Sequence, residues 1–150
     1  MESNVLSQTL LRRTMEYQTI CQDLIAAQKD GHIRRHRQLS TYREITHTID
    51  EFLKRVTNQS NHLISTDYKS IKTETDEISP GFLLKTIKIV VGINDTVIEF
   101  DALITIPADE IDTPYLTFEN EDVIHYTKND ANEQLFNMII NKMKLGLKFA

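Results

Sequence analysis

The chain holds one cysteine, three prolines, four glycines and no tryptophan in 150 residues. A lone Cys21 can close no internal disulfide and cannot supply a multi-thiolate zinc site, so a reducing compartment is expected. The glycines stand at 31, 81, 92 and 146, too scattered to write a phosphate-binding loop or a dinucleotide fingerprint. No apolar run approaches the roughly 18 residues needed to span a bilayer. Residues 1–11 also lack a basic stretch followed by an uninterrupted greasy one. The expectation is an intracellular protein, cytoplasmic or nuclear, with no membrane partner.

What is present fits a folding chain. A hydrophobic share of 40% and a charged share of 26% exclude disorder by composition and leave one compact domain with an extended appendage as the starting expectation. The charge is unevenly placed. Residues 1–66 carry nine Lys/Arg against seven Asp/Glu, and residues 67–150 carry eight against fifteen. Opposite biases of this kind suit head-to-tail association or a basic partner at the acidic half, or simply two solvated surfaces.

The first part has a helical period. Leu6, Leu10, Tyr17, Ile20, Leu24 and Ala27 recur three or four apart but for the seven-residue step across Arg13, widened by Leu11, Cys21 and Ile25. Lys29, Asp30 and Gly31 read as a helix end, because glycine enters the left-handed region cheaply. A second stripe, Tyr42, Ile45, Ile49, Phe52 and Val56, follows Thr41 and Glu44, which are spaced as a capping box. Residues 1–65 are therefore expected to form a helical hairpin or a short coiled-coil stem. Residues 58–61, polar and of low helix preference, end the pattern.

From residue 66 the period changes to two. Ile87, Ile89, Val91 and Ile93 share one face with Thr86 and Lys88 on the other, Asn94 and Asp95 suit a tight turn, and Ile98, Phe100, Ala102, Ile104 and Ile106 alternate with Glu99, Asp101 and Thr105. Pro107 cannot donate to a ladder and should end that strand. Residues 68–73 offer an edge strand, Leu116 and Phe118 a short one, and residues 123–126 a strand or a loop. Asp130 and Glu133 resemble a capping box opening a helix whose apolar face is Leu135, Phe136, Ile139, Ile140, Met143 and Leu147. The fold class is α+β: residues 66–150 form a three- to four-stranded antiparallel sheet covered by a C-terminal helix.

Signals for chemistry are sparse. His32 and His36 share a helix face at a spacing that can chelate, but no third ligand accompanies them and Arg34, Arg35 and Arg37 oppose a cation, so no metal is expected. Cys21, among Ile20, Leu24 and Ile25, reads as a packing residue. His125-Tyr126-Thr127 is one His-x-Thr triplet where a two-histidine phosphodiesterase needs two, one as base and one as acid. Glu99 and Asp101 are the outward positions of an alternating strand. An enzyme or ligand-binding site assembled around His125, with Tyr126, Glu99 and Asp101, stands as one alternative. Nucleic-acid binding through Arg34, Arg35 and Arg37 stands as another, carried by one small basic cluster on an acidic protein.

Two segments carry a family resemblance: Leu103-Ile104-Thr105-Ile106-Pro107, and, after a loop, Pro114-Tyr115-Leu116-Thr117-Phe118, followed by an amphipathic helix reaching Leu145-Gly146. Residues 66–150 thereby resemble an RWD domain, the non-catalytic relative of the ubiquitin-conjugating fold. Residues 109–113 stand where that family has a Tyr-Pro turn, and no cysteine follows Phe118, so the resemblance implies no thioester transfer. Its first helix would come from residues 49–64. A helical stem ahead of such a head is similar to kinetochore and other scaffold subunits, which pair through the stem. The leading expectation is a non-catalytic interaction or adaptor protein without a cofactor, binding a protein partner or itself as a dimer through Leu10, Tyr17, Leu24, Tyr42, Ile45, Ile49 and Phe52.

Overall fold

The computed structural model describes residues 2–75, 81–109, 111–119, 122–127 and 132–150, with side chains from residue 13 onward except those of 72–75. The elements run α1 (Glu2–Gln59), β1 (Ile64–Thr75), β2 (Leu83–Ile93), β3 (Thr96–Ile106), β4 (Tyr115–Phe118), β5 (Val123–His125) and α2 (Glu133–Lys148). The α+β class expected from the periodicity is what the chain forms. Two compact units divide it, Met1–Arg37 and Gln38–Ala150. Residues 38–59 of α1 contribute to the core that the sheet builds.

α1 is a single helix, so of the two forms expected for residues 1–65 the hairpin is the one that does not form. Neither a break at Gly31 nor a fresh start at Thr41 occurs. One interior glycine costs a helix about 1 kcal/mol relative to alanine, which the surrounding helix formers absorb, and the first proline comes only at residue 80. The helix ends where its polar run predicts. The His62 N–H donates to the Thr57 carbonyl and the Asn61 N–H to that of Asn58, both at 3.1 Å. Asn61 and His62 are both left-handed, at φ 53° and 65°. This is a Schellman closure with asparagine in the place usually held by glycine.

In the second unit, five antiparallel strands form a meander in the order β1-β2-β3-β4-β5, one or two more than expected. The added strand is β5, whose three residues are too few to display a period. It is held by pairing of Tyr115 with His125, Leu116 with Ile124 and Thr117 with Val123. The hairpin between β2 and β3 has the anticipated two-residue turn, with Ile93 opposite Thr96 and Asn94 at φ 53°. β3 ends at Ile106, before Pro107.

Register carries one face through the whole sheet: Tyr68, Ile89 and Phe100 lie in one row, Ala102 and Phe118 in the next, and Ile104, Leu116 and Ile124 beyond. Ile87, Ile89, Ala102, Ile104 and Leu116 are fully buried there. Residues 38–59 of α1 and the helix α2 cover this face. Ile45, Ile49 and Leu53 from α1 and Leu135, Ile139 and Met143 from α2 enter the core, each contributing about 1.5–3 kcal/mol by leaving water. The two helices meet where Phe52 and Phe136 stack, with ring centroids 4.4 Å apart. At the far end of α2, Gly146 lies so close to Ile98 that a Cβ there would fall 2.7 Å from its Cδ1. Glu133 and Lys148 sit at the ends of α2 that favour their charges. The expected cap Asp130 lies outside the described residues.

Candidate interaction surface

The first unit is helix, and from Arg13 to Arg37 every side chain is exposed. Helical geometry places Tyr17, Ile20, Cys21 and Leu24 on one stripe, since residues three and four apart lie above one another. Their apolar groups meet solvent: Tyr17 is 67% exposed, Ile20 51% and Leu24 66%. Cys21 is exposed beside them, which corrects its reading as a core residue, because within this unit no second element packs on the stripe. Leu10 belongs to α1, but its side chain lies outside those described.

The remaining candidate partner-binding residues have a different fate. Tyr42, Ile45 and Ile49 are buried in the second unit. The Tyr42 hydroxyl donates to Ser70 Oγ at 3.3 Å, and Lys85 Nζ stands 4.4 Å above its ring. Phe52 is engaged with Phe136. Of the seven residues, Tyr17 and Leu24 are the ones whose described side chains remain open to a partner.

Gln38, at the head of the second unit, carried no signal in the sequence. It is only 3% exposed, and its Nε2 donates to the carbonyls of Gly81 and Ile106. One amide thereby satisfies two backbone acceptors, 43 and 68 residues away, that burial would otherwise leave without water. A glutamine in a polar stretch of helix gives no hint of this, because both acceptors are main-chain atoms brought there by the fold.

The residues of the enzyme alternative do not converge. Tyr126 is buried on the helix-covered face. Its hydroxyl donates to Glu44 Oε1 at 3.3 Å and lies 3.3 Å from Thr48 Oγ1. Burial, with a smaller push from the Glu44 carboxylate, raises its pKa above the ordinary 10.0, against the opposing Thr48 hydrogen bond. His125 is on the opposite face of the sheet, its Nδ1 3.1 Å from Thr113 Oγ1 and its ring tilted against Tyr115. Glu99 pairs with Lys88 at 3.2 Å, a hydrogen bond and charge that hold the Lys88 pKa above its usual value. Among the described residues Asp101 Oδ1 accepts no hydrogen bond, while the Asp101 N–H donates to Glu119 Oε1 at 3.4 Å. It is four residues along β3 from Thr105, the residue that pairs with Tyr115 beside His125. At about 3.3 Å per residue, roughly 13 Å of strand separates the acid from the histidine's neighbourhood.

Arg34, Arg35 and Arg37 are exposed on α1. Steps of one and three residues turn Arg35 about 100° from Arg34 around the helix and leave Arg37 about 60° from it. Among the described residues no helix is long and apolar enough to cross a membrane. No family model, curated protein or solved structure matches the chain.

Proposed function

We propose that this protein is a non-catalytic interaction subunit, a scaffold or adaptor of the cytoplasm or nucleus, that associates through the exposed apolar stripe of α1. The observation that carries the reading is the exposure of Tyr17, Ile20 and Leu24 on one helical face. Helices in proteins draw most of their stability from packing an apolar face, not from intrinsic propensity. A long helix with such a face open therefore has a place for a partner.

Covering what remains exposed of these three side chains is worth about 3–6 kcal/mol, which only begins to offset the roughly 4–15 kcal/mol lost in association. The interface must be longer than these three, and Leu6 and Leu10 continue the spacing toward the N-terminus. Pairing as a coiled coil, with itself or with a similar helix, meets that requirement. An RWD-like head in the second unit is part of the same proposal, supported by its order of helix, antiparallel meander and closing helix.

The test compares the full chain with its Tyr17→Glu, Leu24→Glu double variant by sedimentation velocity and by the proteins each retains from native extract. The variant should lose the specific partner and the part of the higher-mass species that pairs through the stripe, while keeping its circular dichroism. A variant with unchanged mass and unchanged partners would refute association through this stripe.

A further inference from the structure

The sheet has two edge strands of unequal length: β5 has three residues and β1 has twelve. The backbone groups that β1 offers outward can be identified. The Ile64 N–H donates to Ser60 Oγ at 3.0 Å, and the Tyr68 N–H to Asp67 Oδ1 at 2.8 Å. Neither is directed at β2. Antiparallel ladders alternate between residues bonded to the neighbour and residues turned away from it, so Thr66 and Ser70 share the outward phase of Ile64 and Tyr68. An edge of this kind is a template for another strand. Between these positions stand Asp67 and Lys69, both exposed, on the sheet face away from the core.

We propose that β1 pairs antiparallel with β1 of a second copy of this chain, about a two-fold axis at Tyr68. The surface is separate from the α1 stripe and does not depend on it. In this register the outward groups of Tyr68 meet their own symmetry mates, and Thr66 lies opposite the second copy's Ser70. Asp67 lies opposite the second copy's Lys69, twice by symmetry. The neighbouring registers are worse. An axis at Asp67 sets carboxylate against carboxylate, and one at Lys69 sets ammonium against ammonium; like charges directly opposite are destabilising. Axes at Thr66 or Ser70 leave both charges facing uncharged side chains. The bulge between Ser70 and Lys72 confines regular pairing to the stretch before it.

The same carboxylate that closes the Tyr68 N–H in the single chain pairs with Lys69 in the dimer. Breaking the local hydrogen bond and forming the ion pair are thus one exchange. The edge stays closed to strands that bring no matching charge.

The test uses the full chain carrying Cys21→Ser, so that only introduced thiols react. Chains with Asp67→Cys and chains with Lys69→Cys are mixed under mild oxidation. Positions 67 and 69 face each other across the axis, whereas 67 with 67 and 69 with 69 are diagonal, roughly 7–8 Å apart and beyond the ~3.5–4.5 Å that a disulfide spans between Cβ atoms. The mixed dimer should dominate, with each self-pair at about a tenth of its yield or less. Association through α1 alone would not select 67 with 69 over 67 with 67. No mixed dimer, or self-pairs of equal yield, overturns the proposal. Adding Asp67→Lys to the Lys69→Cys chain puts lysine opposite lysine and should cut the mixed dimer several-fold; an unchanged yield also overturns it.

Discussion

The two ends of α1 make an instructive contrast. Tyr17, Ile20 and Leu24 and, further along the same helix, Ile45, Ile49 and Leu53 are apolar residues at helical spacing, yet the first set is exposed and the second is buried. Residue type and period do not separate them. What separates them is that the second set is covered by structure assembled from residues far later in the chain, as Thr48 and Glu44 show by meeting Tyr126, 78 and 82 positions away. An apolar stripe marks a demand for burial, and the fold decides whether the chain itself meets it.

The largest test of this contrast is a pair of truncations. Ile49→Ala should lower the stability of the second unit by about 2–5 kcal/mol, because it empties a fully packed site. Leu24→Ala should shift that unit's urea midpoint by no more than about 0.5 kcal/mol in free energy. Equal effects would break the distinction between the units. Gln38→Leu comes next: it removes the donor to the buried Ile106 carbonyl and the part-buried Gly81 carbonyl and should cost about 1–3 kcal/mol, read by the same denaturation. A neutral result would mean that water reaches Gly81 and Ile106.

Gly31→Ala sharpens the comparison within the helix itself. A Cβ at this position meets nothing within 4 Å, so alanine should stabilise the helix by about 1 kcal/mol, seen as higher helicity on heating. Destabilisation instead would show that Gly31 takes the left-handed conformation and ends a helix there. The smallest effect concerns pH. Burial raises the Tyr126 pKa above 10.0, so the folded state favours the neutral phenol more than the unfolded state does. That contribution is complete below pH 10 and is lost as the pH rises through the raised value. Tyr126→Phe should flatten the alkaline limb of the stability profile, and an unaltered limb would remove Tyr126 as its cause.

Much of the fold was legible because its signals are local. The β2–β3 hairpin follows from the period of two on either side of Asn94 and Asp95, and the end of β3 from the missing donor of Pro107. The apolar face of α2 shows in its spacing, with Leu135, Ile139 and Met143 buried as the period requires. The break at Gly31 misled for the converse reason. A glycine permits a left-handed end, but only a chain reversal with its own hydrogen bonds makes one, as at Asn61 and His62. Of the residues expected to meet a partner, Tyr17 and Leu24 are open, while Tyr42, Ile45 and Ile49 lie in the core.

By itself, then, the order of residues determined which segments are helix and strand, which face of each is apolar, and the register of the central hairpin. These depend on backbone preference and on the period of side chains over a few residues. Only the tertiary structure decided that residues 38–59 serve the sheet and residues 13–37 do not, that three residues suffice for β5, that Gln38 closes two distant carbonyls, and that β1 lies at an edge. Each of these depends on what stands opposite a face, and a period along one segment carries no information about its neighbour in space.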